Sequence, residues 1–120
     1  MMDRMAPPRS IALVSDDLMF ASQLQAAMRR TGGSCALVVG EQVPDALVVF
    51  VDLNTRTDER IALISSLREQ RPEIEIVGFC HHAARQLRRA ALAAGATRMV
   101  NNGALQTVAL RLSGFTAGDR

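Results

Sequence analysis

Ile11-Ala12-Leu13-Val14-Ser15-Asp16-Asp17 decides how the rest of the chain is read: four apolar residues without a polar break, then a hydroxyl and two carboxylates. A short, uninterrupted apolar run of this kind is a strand covered on both faces, the usual state of a strand in a parallel sheet. The same signal recurs downstream. Cys35 to Val39 predicts a second strand, Ala46 to Val51 a third, Ile74 to Phe79 a fourth and Arg98 to Asn101 a short fifth. Between them lie helical patterns. Met19 to Arg30 places Phe20, Leu24, Ala27 and Met28 on one face and stops at Gly32-Gly33. Arg60 to Gln70 turns Ile61, Ile64 and Leu67 inward, with Pro72 beyond its end. Ala84 to Ala94 carries Leu87, Ala90, Ala91 and Ala94 as its apolar face and is closed by Gly95. Leu105, Val108, Ala109 and Leu112 mark a last amphipathic helix.

Strands alternating with helices imply an α/β domain, a parallel sheet wrapped by helices in three layers. One crossover is irregular. Gly40-Glu-Gln-Val-Pro-Asp45 is too short for a helix, so the second crossover helix is expected to be shortened or absent. Residues 1–9, polar with Pro7 and Pro8, read as a loose arm, and residues 10–120 as one domain. The polar stretch Ser113 to Arg120 is too short for an output domain.

Composition narrows the function. Hydrophobic residues make up 48% of the chain, ample for a core, while aromatics are only 3%, which argues against base-stacking readers of nucleic acid. All 14 basic residues are arginine and the formal charge is +2, so no strong phosphate-binding surface follows. Cys35 and Cys80 each sit in an apolar run, lack metal-ligand spacing and are expected to be reduced and buried. The chain start lacks the apolar stretch of a signal peptide, and no segment is long enough to span a bilayer. A cytoplasmic protein is the simplest expectation.

In open parallel sheets, ligands bind beyond the carboxyl ends of the strands where the strand order reverses. With the order 2-1-3-4-5 that place lies between strands one and three. Strand one ends in Ser15-Asp16-Asp17 and strand three in Val51-Asp52-Leu53-Asn54, so three carboxylates are expected to converge there.

Those residues, with the turn Ala93-Ala94-Gly95-Ala96, carry a resemblance to the receiver domains of two-component response regulators over Ile11 to Leu112. The resemblance implies a flavodoxin-like fold without enzymatic activity of its own. It implies Mg²⁺ binding by Asp16 and Asp17, a phosphoryl group accepted by Asp52, and a backbone carbonyl offered to the metal by Asn54. The departures from the family pattern are large. Cys80 stands where the family has Thr or Ser, and Met99 where it has an aromatic switch residue. Asn102-Gly103 stands where the family has Lys-Pro, and no lysine exists anywhere to substitute. Arg56 replaces the proline after the phosphoacceptor. Together with Asp17-Leu-Met-Phe20 and Val77-Gly-Phe-Cys-His-His82, this resembles an atypical, pseudo-receiver branch.

Crowded carboxylates need a counter-charge, since two unit charges about 4 Å apart interact by roughly 4 kcal/mol at an effective dielectric near 20. Mg²⁺ is one candidate for that role; Arg56, folding over the pocket from the loop beside Asp52, is another. Blander readings stand beside these. Asp17 can simply cap the first helix. Cys80-His81-His82 reads better as a packed thiol and two loop histidines than as a metal site. Arg85, Arg88 and Arg89 share a helix face that is either a solvated stripe or a protein-partner surface.

Three functions compete. The leading one is a phosphorylation-independent protein-interaction module, acting through helix 84–94, the fifth strand and the last helix. The second is a working single-domain response regulator phosphorylated on Asp52 with Mg²⁺. The third is a small-molecule-binding flavodoxin-like domain, against which stand the acidic strand-one loop and the lack of a glycine-rich phosphate loop. A protein partner is expected, nucleic acid and membrane are not, and homodimerisation through exposed helix faces enters by family analogy.

Overall fold

The computed structural model describes residues 10–81 and 85–112. The expected N-terminal arm, the polar C-terminal stretch, His82 and Ala84 lie outside the described residues, as does the side chain of Leu112. Five parallel strands, β1 (Ser10–Val14), β2 (Ser34–Val38), β3 (Val48–Asp52), β4 (Glu75–Cys80) and β5 (Arg98–Asn101), form one sheet in the order β2-β1-β3-β4-β5. The helices are α1 (Leu18–Arg30), α2 (Thr57–Gln70), α3 (Arg85–Ala94) and α4 (Leu105–Leu112), with a 3₁₀ turn at Asn102–Ala104 before α4. This is the three-layer fold expected from the alternation of strands and helices, with the strand order 2-1-3-4-5 expected of a receiver-like fold.

Every residue of β1 and β3 is buried, because helices cover both faces of the central strands. One core layer gathers Ala12, Val49, Val51, Leu53, Ile64, Leu67, Ile76 and Ala91 beneath α2 and α3. The other gathers Ile11, Leu13, Leu24, Met28, Phe50, Phe79, Leu105 and Ala109 beneath α1 and α4. Phe20, expected to be inward, is half-buried and instead lies against Phe79 with ring centroids 5.6 Å apart.

The second crossover holds no helix. Val43 from this connection drops into the core, and the Arg71 guanidinium donates to the carbonyls of Val43 and Pro44, fastening the loop that replaces the helix. The α2 helix begins at Thr57, a turn earlier than its apolar pattern suggested. Thr57 donates its hydroxyl to the Leu53 carbonyl, and Asp58 and Glu59 sit favourably in the first turn. Its inward face is also rotated: Arg60 and Leu63 are buried with Ile64 and Leu67, while Ile61 is only half-buried. On α3, Ala91 is buried but Ala90 is exposed.

Gly95 ends α3 with a φ of +124°, a conformation that disfavours a side chain. A Cβ at this position would lie 2.7 Å from Cβ of Arg68. The close approach lets Arg68 Nε donate to the Gly95 carbonyl at 3.0 Å, joining α2 to the turn before β5.

Candidate functional site

The site lies beyond the carboxyl ends of β1 and β3, where the strand order reverses. Asp52, the last residue of β3, is 5% exposed. A buried carboxylate is tolerated only with hydrogen-bond donors around it, and here each oxygen has them. Oδ2 accepts from the Ser15 hydroxyl at 2.6 Å. Oδ1 accepts from the Asn54 backbone N–H at 2.9 Å and from Asn54 Nδ2 at 2.8 Å. The backbone contact is an Asx turn, the local bond Asp makes two residues on, and the Asp17 N–H donating to Ser15 Oγ at 3.0 Å is its serine counterpart.

Ser15, fully buried, was missed as a site residue by the sequence reading. The register that pairs Val14 with Val51 carries Ser15, not Asp16, to the position beside Asp52. The acidic pair is consequently one residue further out than expected. Asp17 is exposed and caps α1, accepting from the Phe20 N–H at 2.9 Å. Asp16 projects toward α2, where Arg56 Nε lies 3.0 Å from its Oδ2 and Arg60 Nη2 lies 3.2 Å from its Oδ1.

Arg60 is the second residue absent from the sequence-level site. Its side chain is 4% exposed, and Nη1 donates to the Asp52 backbone carbonyl at 3.2 Å. No local signal marked it, because an arginine at the start of a helix reads as a solvated residue. Arg56 is itself unusual, with a left-handed backbone at φ 51°, ψ 42° immediately before α2. Its guanidinium is half-exposed and also lies 3.7 Å from Glu59.

The other singled-out residues surround this centre. Asn54 Oδ1 accepts from the His81 N–H at 2.8 Å, and its Nδ2 reaches Asn102 Oδ1 at 3.3 Å. Asn102, at the position where the resemblance calls for lysine, thus contacts Asn54. Cys80 is buried at the end of β4, and burial raises its thiol pKa; Arg88 pulls it back down and Asp52 pushes it further up. Met99 is buried across β4, close enough that a Cβ at Gly78 would meet its sulfur at 2.6 Å. Arg85 and Arg89 are exposed on α3, whereas Arg88 Nη1 turns back toward the Met99 carbonyl at 3.5 Å.

The donors do not fit a divalent ion in this arrangement. Asp17 is engaged as a helix cap, Asp16 faces two guanidiniums, and both Asp52 oxygens already accept from protein donors. Among the described residues no group of three or more His, Cys, Asp or Glu side chains could hold a metal ion. The expected convergence of three carboxylates is therefore corrected to one buried carboxylate, one arginine-paired carboxylate and one helix cap. No described helix is long and apolar enough to cross a membrane.

A doubly wound sheet of this order, with an aspartate closing β3 at the switch point, has the fold of a response-regulator receiver domain. Solved structures agree. A response regulator from Thermotoga maritima is similar with a TM-score of 0.74 at 18% identity, over 91% of this chain and 98% of its own. The receiver domain of the TMAO respiratory system response regulator TorR gives 0.74 at 20% identity, over 88% and 93%. A CheY-like protein, tadZ, from Pseudomonas aeruginosa PAO1 gives 0.70 at 21% identity, over 93% and 98%. No protein-family model and no curated protein sequence matches the chain.

Proposed function

We propose that this receiver-fold domain is a protein-interaction module that signals without phosphoryl transfer and without catalysing a reaction. The observation that carries the reading is the state of Asp52: both carboxylate oxygens are held by Ser15 and Asn54. An incoming phosphoryl group must take one of these oxygens from its donors, and the chain has no lysine to support the phosphoryl oxygens. The positions that would relay its arrival are also committed. Cys80 offers only a weak thiol donor, and Met99 is packed across Gly78. The partner surface in this reading is α3 with β5 and α4, where Arg85 and Arg89 offer exposed charge to an acidic protein face.

An amide NMR titration with Mg²⁺ followed by beryllofluoride tests the proposal. The amides of Asp52, Cys80 and Asn102 are expected to stay in place. A stable gain of one phosphoryl group on Asp52 from acetyl phosphate, with shifts reaching β5, would overturn it. Asp52 lies where a phosphoacceptor belongs, at the carboxyl end of β3, and this favours a phosphorelay receiver as the second reading. It requires labelling by a partner kinase that Asp52→Asn abolishes.

A further inference from the structure

The pocket contains a cation that belongs to the chain. Arg60 is 3% exposed, although a guanidinium keeps its charge at any pH a protein survives. Such a charge is stable inside a protein only with a partner of opposite sign and satisfied donors. Both conditions are met by strand ends: Nη2 binds Asp16 Oδ1 from the β1 side, and Nη1 binds the Asp52 carbonyl from β3, each at 3.2 Å. Arg60 thereby bridges the two strands that flank the switch point. Arg56 is different in kind. It reaches the other Asp16 oxygen from a half-exposed position and can leave without exposing a buried charge.

We propose that Arg60 is the resident cation of the pocket, occupying with its side chain the ground a divalent ion would need between the Asp16 carboxylate and the Asp52 backbone carbonyl. Both guanidiniums, Arg56 and Arg60, face the Asp16 carboxylate, and Arg60 meets Asp52 at its backbone carbonyl. The native protein is closed to divalent metal, and removal of Arg60 frees the Asp16 carboxylate and the Asp52 carbonyl to take a divalent cation in its place. The inference builds on the reading of a phosphorylation-silent pocket but is decided by metal alone, with no phosphoryl donor present.

The experiment compares wild type, Arg60→Met and Arg60→Met/Arg56→Ala by Mn²⁺ broadening of amide resonances and by thermal unfolding with and without Mg²⁺. Arg60→Met is expected to show saturable broadening at Asp16 and Asp52 with affinity about tenfold or more above wild type, from the lost like-charge repulsion, and the double variant more still. Mg²⁺ is expected to raise the melting temperature of both variants and leave wild type unmoved. Should Arg60→Met fail to fold without metal, Asp16→Asn supplies an independent reading. It strands the buried guanidinium and is expected to destabilise the protein, with Arg60→Met in the same background restoring part of the loss. Equal Mn²⁺ affinity in wild type and variants, no gain in either variant, or a neutral Asp16→Asn would each overturn the proposal. Wild type silent to beryllofluoride together with variants silent to Mn²⁺ defeats this inference alone, whereas phosphorylated wild type defeats the functional reading.

Discussion

Replacing Ser15 with alanine removes one hydroxyl from a fully buried position and leaves the backbone untouched. The lost bond is 2.6 Å long and goes to a buried carboxylate, and a hydrogen bond to a charged group is worth about 1.5–3 kcal/mol. The Asp17 N–H loses its acceptor as well, but Asp17 is exposed and water replaces the bond. Ser15→Ala should therefore cost about 2 kcal/mol. With an unfolding entropy of about 2 cal/mol/K per residue over 120 residues, the melting temperature falls by about 8 °C. In an Asp52→Asn background the acceptor is neutral, and the same substitution should cost only about 1 kcal/mol. Urea unfolding of the four proteins gives the coupling directly. A Ser15→Ala cost below about 0.5 kcal/mol, or the same cost in both backgrounds, would refute the view that Ser15 holds the Asp52 carboxylate in place.

Other expectations concern the backbone and the thiols. Gly95→Ala should destabilise by about 2 kcal/mol in chemical denaturation, because the new Cβ meets the stem of Arg68 at a φ of +124°. Arg56→Gly should be about 1 kcal/mol more stable than Arg56→Ala, since both lose the exposed ion pair but only glycine relaxes the left-handed backbone. Cys35, expected to be buried, is half-buried on the edge strand β2, and partial desolvation raises its thiol pKa from 9.0 to about 11. The folded state then keeps a proton that the unfolded chain releases, so stability is full below pH 9 and declines as pH rises toward 11. With no lysine or tyrosine in the sequence, cysteine is the only side-chain type titrating in that window. Cys35→Ala should flatten the decline of the urea midpoint between those pH values.

The strand and helix sequence of this protein was legible because burial on both faces writes the inner strands β1, β3 and β4 as continuous apolar runs, and helices as a 3.6-residue stripe. The five strands, the absent second crossover helix, the glycine that closes α3 and the carboxylate at the end of β3 all follow from such local signals. The α1 cap was equally local, since the Asp17 carboxylate accepts from its own helix. Asp52 was identifiable as a buried end-of-strand charge, but its partners were not.

Ser15 and Arg60 became site residues only through tertiary structure, for a shared physical reason. A serine after an apolar strand and an arginine early in a polar helix carry no local mark of burial; each is buried because a distant strand end delivers an oxygen to it. The register of β1 against β3 decides that Ser15, not Asp16, faces Asp52. The docking of α2 decides that Arg60 points at Asp16 instead of water. Sequence periodicity sets which residues share a face, while the pairing of polar groups across 37 or 44 residues of chain depends on how the faces meet.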